Sequence, residues 1–239
     1  MVQKSEGTDL SEGRNLQGHA QVPGLLAIVF SRFWFKAFGT TGFTFVFFAA
    51  YLYLLKHPAF AVSTVPVTVV DRIIAFEPAA LPIYLSLWFY VSLPPVLMLT
   101  RSEIVSYGVR IGVLCLIALG VFYYVPNAVP PADIDWTRYP GVAFLKQVDM
   151  AGNACPSLHV GTAVFSSVWL FWRIRLLRLG RVVQTVNMVW CVAIAYSTLA
   201  IKQHVFVDVL AGTLLALVVA WLSGLKAHAC HLGASRRSR

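Results

Sequence analysis

Two histidines and their neighbours carry the chemistry open to this sequence. His204 and Asp208 stand four residues apart where a long apolar stretch begins, so on a helix their side chains share one face. A carboxylate bonded to one imidazole nitrogen fixes the tautomer and supports positive charge, leaving the other nitrogen free to attack an electrophile. The same pair would also serve as a polar anchor for a helix end, although ionisable groups at membrane depth are costly and usually face a cavity. Pro156-Ser157-Leu158-His159 opens another apolar stretch. Proline suits the first helical turn, and the unpaired backbone N–H groups there can point at an anion. In that setting Ser157 can donate its hydroxyl to a phosphate oxygen and His159 can protonate a departing alkoxide. Taken alone, an ordinary proline helix start with a histidine at headgroup level fits the tetrapeptide better.

These residues need elements to bring them together, and composition says of what kind. The 239 residues are 58% hydrophobic and 12% charged, with a mean hydropathy of +0.72, unlike a soluble domain. Apolar stretches reach the roughly 20 residues a bilayer-spanning helix needs. The expectation is an all-α polytopic membrane bundle of six helices near 35–55, 81–100, 108–126, 157–174, 183–202 and 205–224. The stretch from Gln21 to Ala37, with Arg32 and Lys36 among apolar residues, reads either as an interfacial helix or as an extension of the first span. One membrane catalytic domain is expected at 21–225, between a flexible tail at 1–20 and a basic tail at 226–239, both cytoplasmic.

Orientation follows from the basic residues. Fourteen of the 19 lysines and arginines fall on one side of this layout, in the tails and the turns near Arg101–Arg110 and Arg173–Arg181. Lys56, Arg72, Arg138, Lys146 and Lys202 fall on the other. The richer side is expected to be cytoplasmic, which puts the 127–156 loop and the turn at Lys202–His204 together on the outer face. That loop, rich in Pro, Asp and aromatics, is long enough to be functional.

The formal charge of +9 is accounted for by topology, so nucleic acid is not expected as a partner. Cys115 and Cys191 lie in apolar segments and Cys155 and Cys230 are far apart, a pattern of neither disulfides nor zinc. His57 reads as a solvated loop residue. His228 and His231, with Cys230 between them, make no structural zinc set. No metal or other cofactor is implied.

Together the two histidine segments resemble the type 2 phosphatidic acid phosphatase superfamily of lipid phosphatases and phosphotransferases. Its PSGH pattern is matched by Pro156, Ser157 and His159, with Leu158 in place of glycine. Its SRxxxxxHxxxD pattern is matched by Ser197, His204 and Asp208, with Thr198 where arginine stands. Its remaining pattern, KxxxxxxRP, is not found. That absence and the PSLH segment are more similar to the branch of inositol phosphorylceramide and sphingomyelin synthases. The resemblance is concentrated in residues 153–212. It implies that His204 becomes a phosphohistidine, that Asp208 orients it and that His159 protonates the leaving group. Ser157 and Ser197 would stabilise the transferring oxygens before water or an alcohol attacks. Arg72, Arg138, Lys146 and Lys202 are the candidates to replace the missing phosphate-binding cations. The partners implied are the bilayer, a lipid phosphate in its outer leaflet and a lipid or polyol acceptor. The compact length suggests a bacterial inner membrane. A phosphodiester substrate would need fewer cations. A non-catalytic lipid-binding or transport protein is the competing class.

Overall fold

The structure, a computed structural model, describes residues 24–148 and 153–224. The expected tails at 1–20 and 226–239, with His228, Cys230 and His231, lie outside the described residues. What is described is mostly helical, as composition led us to expect.

The chain enters through α1 (Leu25–Phe30) and α2 (Phe33–Lys56). The stretch expected as an interfacial helix or a simple extension is therefore a short helix broken from the long one. The break falls at Arg32, which adopts left-handed backbone geometry with φ 51°. A two-residue strand β1 (Ser63–Thr64) and helix α3 (Val69–Ile73) follow. The single helix expected at 81–100 is instead a series of pieces, α4 (Leu81–Leu85), α5 (Leu87–Tyr90) and α6 (Leu93–Val96). Pro94 and Pro95 account for the break before α6, since each removes a backbone donor and crowds the preceding turn, while Pro82 sits in the first turn of α4, where proline is tolerated. Lys36 seals two of the freed ends: its Nζ donates to the carbonyls of Ile28 and Val96, both at 2.8 Å.

Helix α7 (Arg101–Tyr124) begins about two turns earlier than expected. The charges between Arg101 and Arg110 suggested a loop, but Thr100 and Glu103 form a capping box, each side chain taking the other's backbone N–H at 3.2 Å. That arrangement starts a helix. Glu103 is paired at 2.8 Å with Arg173, which is 5% exposed and also donates to the Leu97 carbonyl. The long loop contains β2 (Asn127–Ala128) and α8 (Pro140–Val148), neither expected. Helices α9 (Leu158–Leu176), α10 (Gly180–Ala200) and α11 (Phe206–Leu222) lie within a few residues of their expected places.

Among the described residues, four segments are long and apolar enough to cross a bilayer: α2, the broken run Pro78–Val96, α7 and α10. Helix α11 has 17 residues, and α9 ends on Arg173 and Arg175, so neither meets that length and composition and the expected count of six is not confirmed. Helix α9 lies at the centre, packed against α7, α10 and α11. Phe165 and Leu114 in this core are fully buried. Two glycines let α9 and α11 meet. A Cβ on Gly212 would collide with the Ser157 carbonyl oxygen, and one on Gly161 would lie 3.4 Å from the Gly212 oxygen. Small residues permit this kind of close backbone approach between membrane helices.

At the same end of the bundle, β1 pairs in parallel with β2, and Asn127 bridges onward to Asn153. This short seam ties the exits of α2 and α7 to the approach to α9.

Candidate active site

His204 occupies the turn between α10 and α11. Lys202 in that turn takes the left-handed conformation, φ 58°, so the chain reverses within a few residues, and the backbone N–H groups of Gln203 and His204 both donate to the Thr198 carbonyl. Helix α3 fixes the turn from outside. Lys202 Nζ donates to the carbonyls of Asp71 and Ile74, while Asp71 Oδ1 accepts the Phe206 N–H at 2.7 Å. Asp71 thus caps the first turn of α11 as well as its own helix, where Oδ2 takes the Thr68 N–H.

Asp208 is fully buried on the first turn of α11. Its Oδ2 faces His204 Nδ1 at 3.3 Å and accepts the Val205 N–H at 3.0 Å. The carboxylate therefore holds helix start and imidazole at once. His204 is 4% exposed, and its Nε2 is buried with no partner among the described residues.

The second segment is bonded to the first through the backbone: the Ser157 N–H donates to the Asp208 carbonyl at 3.0 Å. Ser157 is the N-cap of α9, its hydroxyl oxygen accepting the Val160 N–H, as cap residues do. The N–H groups of Leu158 and His159, in the first turn, take no acceptor among the described residues. His159 lies on that turn with its ring centroid 5.8 Å from that of His204. Tyr84 of α4 stacks on it at 4.5 Å, and Trp88 of α5 meets it edge-on at 6.1 Å. The broken helix is what brings these two aromatics to the histidine.

Cys155 lies beside Asp208. Burial, and then the Asp208 carboxylate, push its thiol up to about 11. Its backbone is bracketed by the Asn127 side chain, which accepts from the Cys155 N–H and donates to the Cys155 carbonyl. Asn127, Asp71, Tyr84 and Trp88 were not singled out from sequence. Only the Tyr84–Trp88 spacing, four residues beside a proline, offered a signal.

Among the expected substrate-binding residues, Ser197 is fully buried and donates its hydroxyl to Ile194 within α10; Thr198, standing where the family pattern has arginine, is likewise buried and donates to Ala195. Lys202 is committed to α3, and partial burial holds its ammonium below the ordinary lysine pKa, with Asp71 opposing. Lys146 donates to the Lys202 carbonyl at 2.9 Å and sits over the Trp136 ring. Arg72 and Arg138 are exposed and form no ion pair among the described residues. The structure thus brings His204, Asp208, Ser157 and His159 together, whereas Ser197 and Lys202 give their polar hydrogens to backbone carbonyls of α10 and of the α3 segment.

A cavity of about 850 Å³ opens onto Asn153, His159 and His204. A buried imidazole nitrogen beside a second imidazole, on two residues that line an apolar cavity, suits nucleophilic attack on a membrane-borne ester. The pattern that defines the PAP2 superfamily, the type 2 phosphatidic acid phosphatase group, matches residues 104–229. The chain belongs to the PAP2 superfamily. No curated protein and no solved structure matches it. The PAP2 match runs from α7 through α11 and includes both histidine segments, but does not single out the sphingolipid-synthase branch. This PAP2 chain is accordingly a membrane protein of a superfamily of phosphatases and phosphotransferases acting on phosphate esters.

Proposed function

We propose that the chain is a lipid phosphatase or phosphotransferase that works through a phosphohistidine on His204. The observation that carries this reading is the division of labour on one buried ring that lines the cavity: Nδ1 faces Asp208, and Nε2 has no partner among the described residues. In the first half-reaction Nε2 attacks phosphorus, the bond to the ester oxygen breaks, and protonated His159 gives its proton to the departing alkoxide. Asp208 supports the positive charge that grows on His204. In the second, His159 takes a proton from water or an alcohol as that oxygen attacks phosphorus and the P–N bond breaks. Both histidines return to their starting states.

The phosphoryl oxygens are received by the N–H groups of Leu158 and His159 at the positive end of α9. Oriented donors of this kind stabilise charge where it develops. Lys202, the expected cation nearest His204 in sequence, has its ammonium held on carbonyls of the α3 segment instead of on the histidines. This favours a substrate of low charge, such as a phosphodiester, and with it the transfer of a phospho-head group to a lipid or polyol acceptor as a second reading within the same chemistry. By the distribution of basic residues the termini are cytoplasmic and the site faces the outer leaflet, periplasmic in a bacterial inner membrane.

The test is turnover of radiolabelled lipid phosphates by purified protein with and without diacylglycerol, ceramide or inositol. Wild type should accumulate an acid-labile phosphohistidine after rapid quenching, and His204→Gln should show neither label nor turnover while remaining folded. Equal turnover by the two proteins would refute the mechanism and favour a non-catalytic lipid-binding role.

A further inference from the structure

Helix α3 looks two ways. Its inward side holds the catalytic turn: Asp71 Oδ1 accepts the Phe206 N–H, and Lys202 Nζ donates to the carbonyls of Asp71 and Ile74. Apolar packing flanks these bonds, with Val65 in a cluster with Ala154 and Val205, and Ile74 set against the cluster of Ala200 and Ile201. The outward side is apolar and exposed. Val69 and Ile73 stand four apart and so on one side of the helix, 69% and 76% exposed, and the Arg72 between them is exposed as well. Val62 and Val67, on the approach to the helix, extend the exposed apolar surface. Contiguous surface of this kind marks a contact site.

What covers it follows from where the chain runs. Residues 57–77 join α2 to the broken run Pro78–Val96, both long and apolar enough to cross a bilayer, so the linker begins and ends at one membrane surface. Within it β1 pairs with β2, just beyond the end of α7, and Phe60 meets Tyr123 edge-on at 6.2 Å. Tyr123 and Tyr124, both exposed, close α7, and aromatic side chains gather where helices leave the hydrocarbon. The linker is thereby tied at headgroup level. There the exposed valines and isoleucine meet acyl chains, and Arg72 meets the phosphates of anionic lipid.

We propose that α3 is an interfacial anchor: Val69 and Ile73 enter the headgroup–acyl boundary of the leaflet that carries the site, Arg72 pairs with anionic phospholipid there, and this contact keeps the catalytic turn in its working geometry through Asp71 and Lys202. Asp71 is then a positioning residue, acting on His204 through the Phe206 N–H and the start of α11. The coupling to catalysis rests on the reading of His204 as nucleophile, whereas the contact with lipid does not.

The contact is tested with the full chain in vesicles of dioleoyl phosphatidylcholine and dioleoyl phosphatidylglycerol in equal parts, carrying photoreactive benzoylphenylalanine in place of Ile73. Irradiation should join that position to lipid, read by mass spectrometry, with phosphatidylglycerol the commoner adduct and Arg72→Gln removing the preference. An adduct with a second copy of the chain, or no adduct, would overturn the anchor. Equal adducts with both lipids before Arg72 is changed would overturn the pairing with anionic headgroups.

The coupling is tested by turnover of dioleoyl phosphatidic acid and of phosphatidylinositol in the same vesicles. Val69→Ser with Ile73→Ser should lower kcat about 10-fold while KM stays within about 3-fold, a part of what a full misplacement of about 1 Å costs. Val69→Leu with Ile73→Leu should keep the wild-type kcat. Asp71→Asn should show the same split between kcat and KM, and adding it to the serine pair should cost little beyond the larger effect alone, since changes along one path are not additive. Wild-type kcat in the serine pair, or losses that multiply, would overturn the coupling. If wild type consumes neither lipid, the reading of His204 fails, and the adduct at position 73 still decides the anchor.

Discussion

Replacing Gly212 by alanine places one methyl group where the Ser157 carbonyl now lies. To restore ordinary contact at about 3.5–4 Å, α9 and α11 must separate by on the order of 1 Å. The strain should cost about 1–3 kcal/mol of stability, typical of overpacking. The catalytic effect should be larger than that figure suggests, because the displaced carbonyl belongs to Ser157, the residue whose N–H bonds the Asp208 carbonyl and joins the two histidine segments. A misplacement of about 1 Å costs roughly 10²-fold in rate, so Gly212→Ala should lose about that factor in kcat while still unfolding cooperatively in detergent. Gly161→Ala is the internal control: its Cβ would lie 3.4 Å from the Gly212 oxygen, a contact that small adjustments relieve, and kcat should stay within about 3-fold of wild type. The assay is steady-state turnover of a lipid phosphate alongside thermal unfolding of each protein. Wild-type kcat in Gly212→Ala, or equal losses in both variants, would refute the claim that this seam sets the geometry.

Asp208→Asn keeps an acceptor for the Val205 N–H but removes the charge facing His204. It should lower kcat by about 10²–10⁴-fold, the range for losing the carboxylate behind a catalytic imidazole, with little change in unfolding temperature. Cys155 should alkylate slowly near neutral pH, because its thiol titrates near 11. Since the thiolate is the reactive form, labelling read by peptide mass spectrometry should rise about tenfold per pH unit up to that value. In Asp208→Asn the profile should move to lower pH, since removing the neighbouring negative charge favours the thiolate. Tyr84→Phe retains the ring on His159 and should leave kcat near wild type. Tyr84→Leu removes the stack and should lower kcat by about 3- to 10-fold, the equivalent of one aromatic contact; equal behaviour of the two variants would remove Tyr84 from the positioning of His159.

Apolar length made most of the helices legible, because a long run of hydrophobic residues in a bilayer has few alternatives to helix. The errors came from signals that compete with hydropathy. Pro94 and Pro95 interrupted the expected 81–100 helix, while the Thr100–Glu103 capping box extended α7 through charges that looked like a loop. Strands of two residues have no periodicity to read, so the β1–β2 seam and the Asn127 bracket around Cys155 were out of reach. The His204–Asp208 contact was legible because it is local, four residues bridging the turn into α11 although His204 stands before the helix, and Ser157 caps the helix that carries His159. Tyr84 and Asp71 reach the same site from more than 70 residues away in sequence, which spacing cannot reveal. The lysine at 202 was legible as a charge beside the nucleophile, but its left-handed backbone and its attachment to α3 were not.

The Asp71 carboxylate, which bonds the Phe206 N–H, has a consequence for how the chain is made. Synthesis delivers Asp71, Tyr84 and Ser157 long before Phe206, so the early segments wait with part of their bonding unmade until the last helix leaves the ribosome and enters the membrane. Only then do the Phe206 cap, the Ser157–Asp208 bond and the pairing of the two imidazoles close together. A nascent chain arrested before α11 would be threaded into the bilayer yet catalytically silent, and activity would appear with the final helix rather than accumulate along the way.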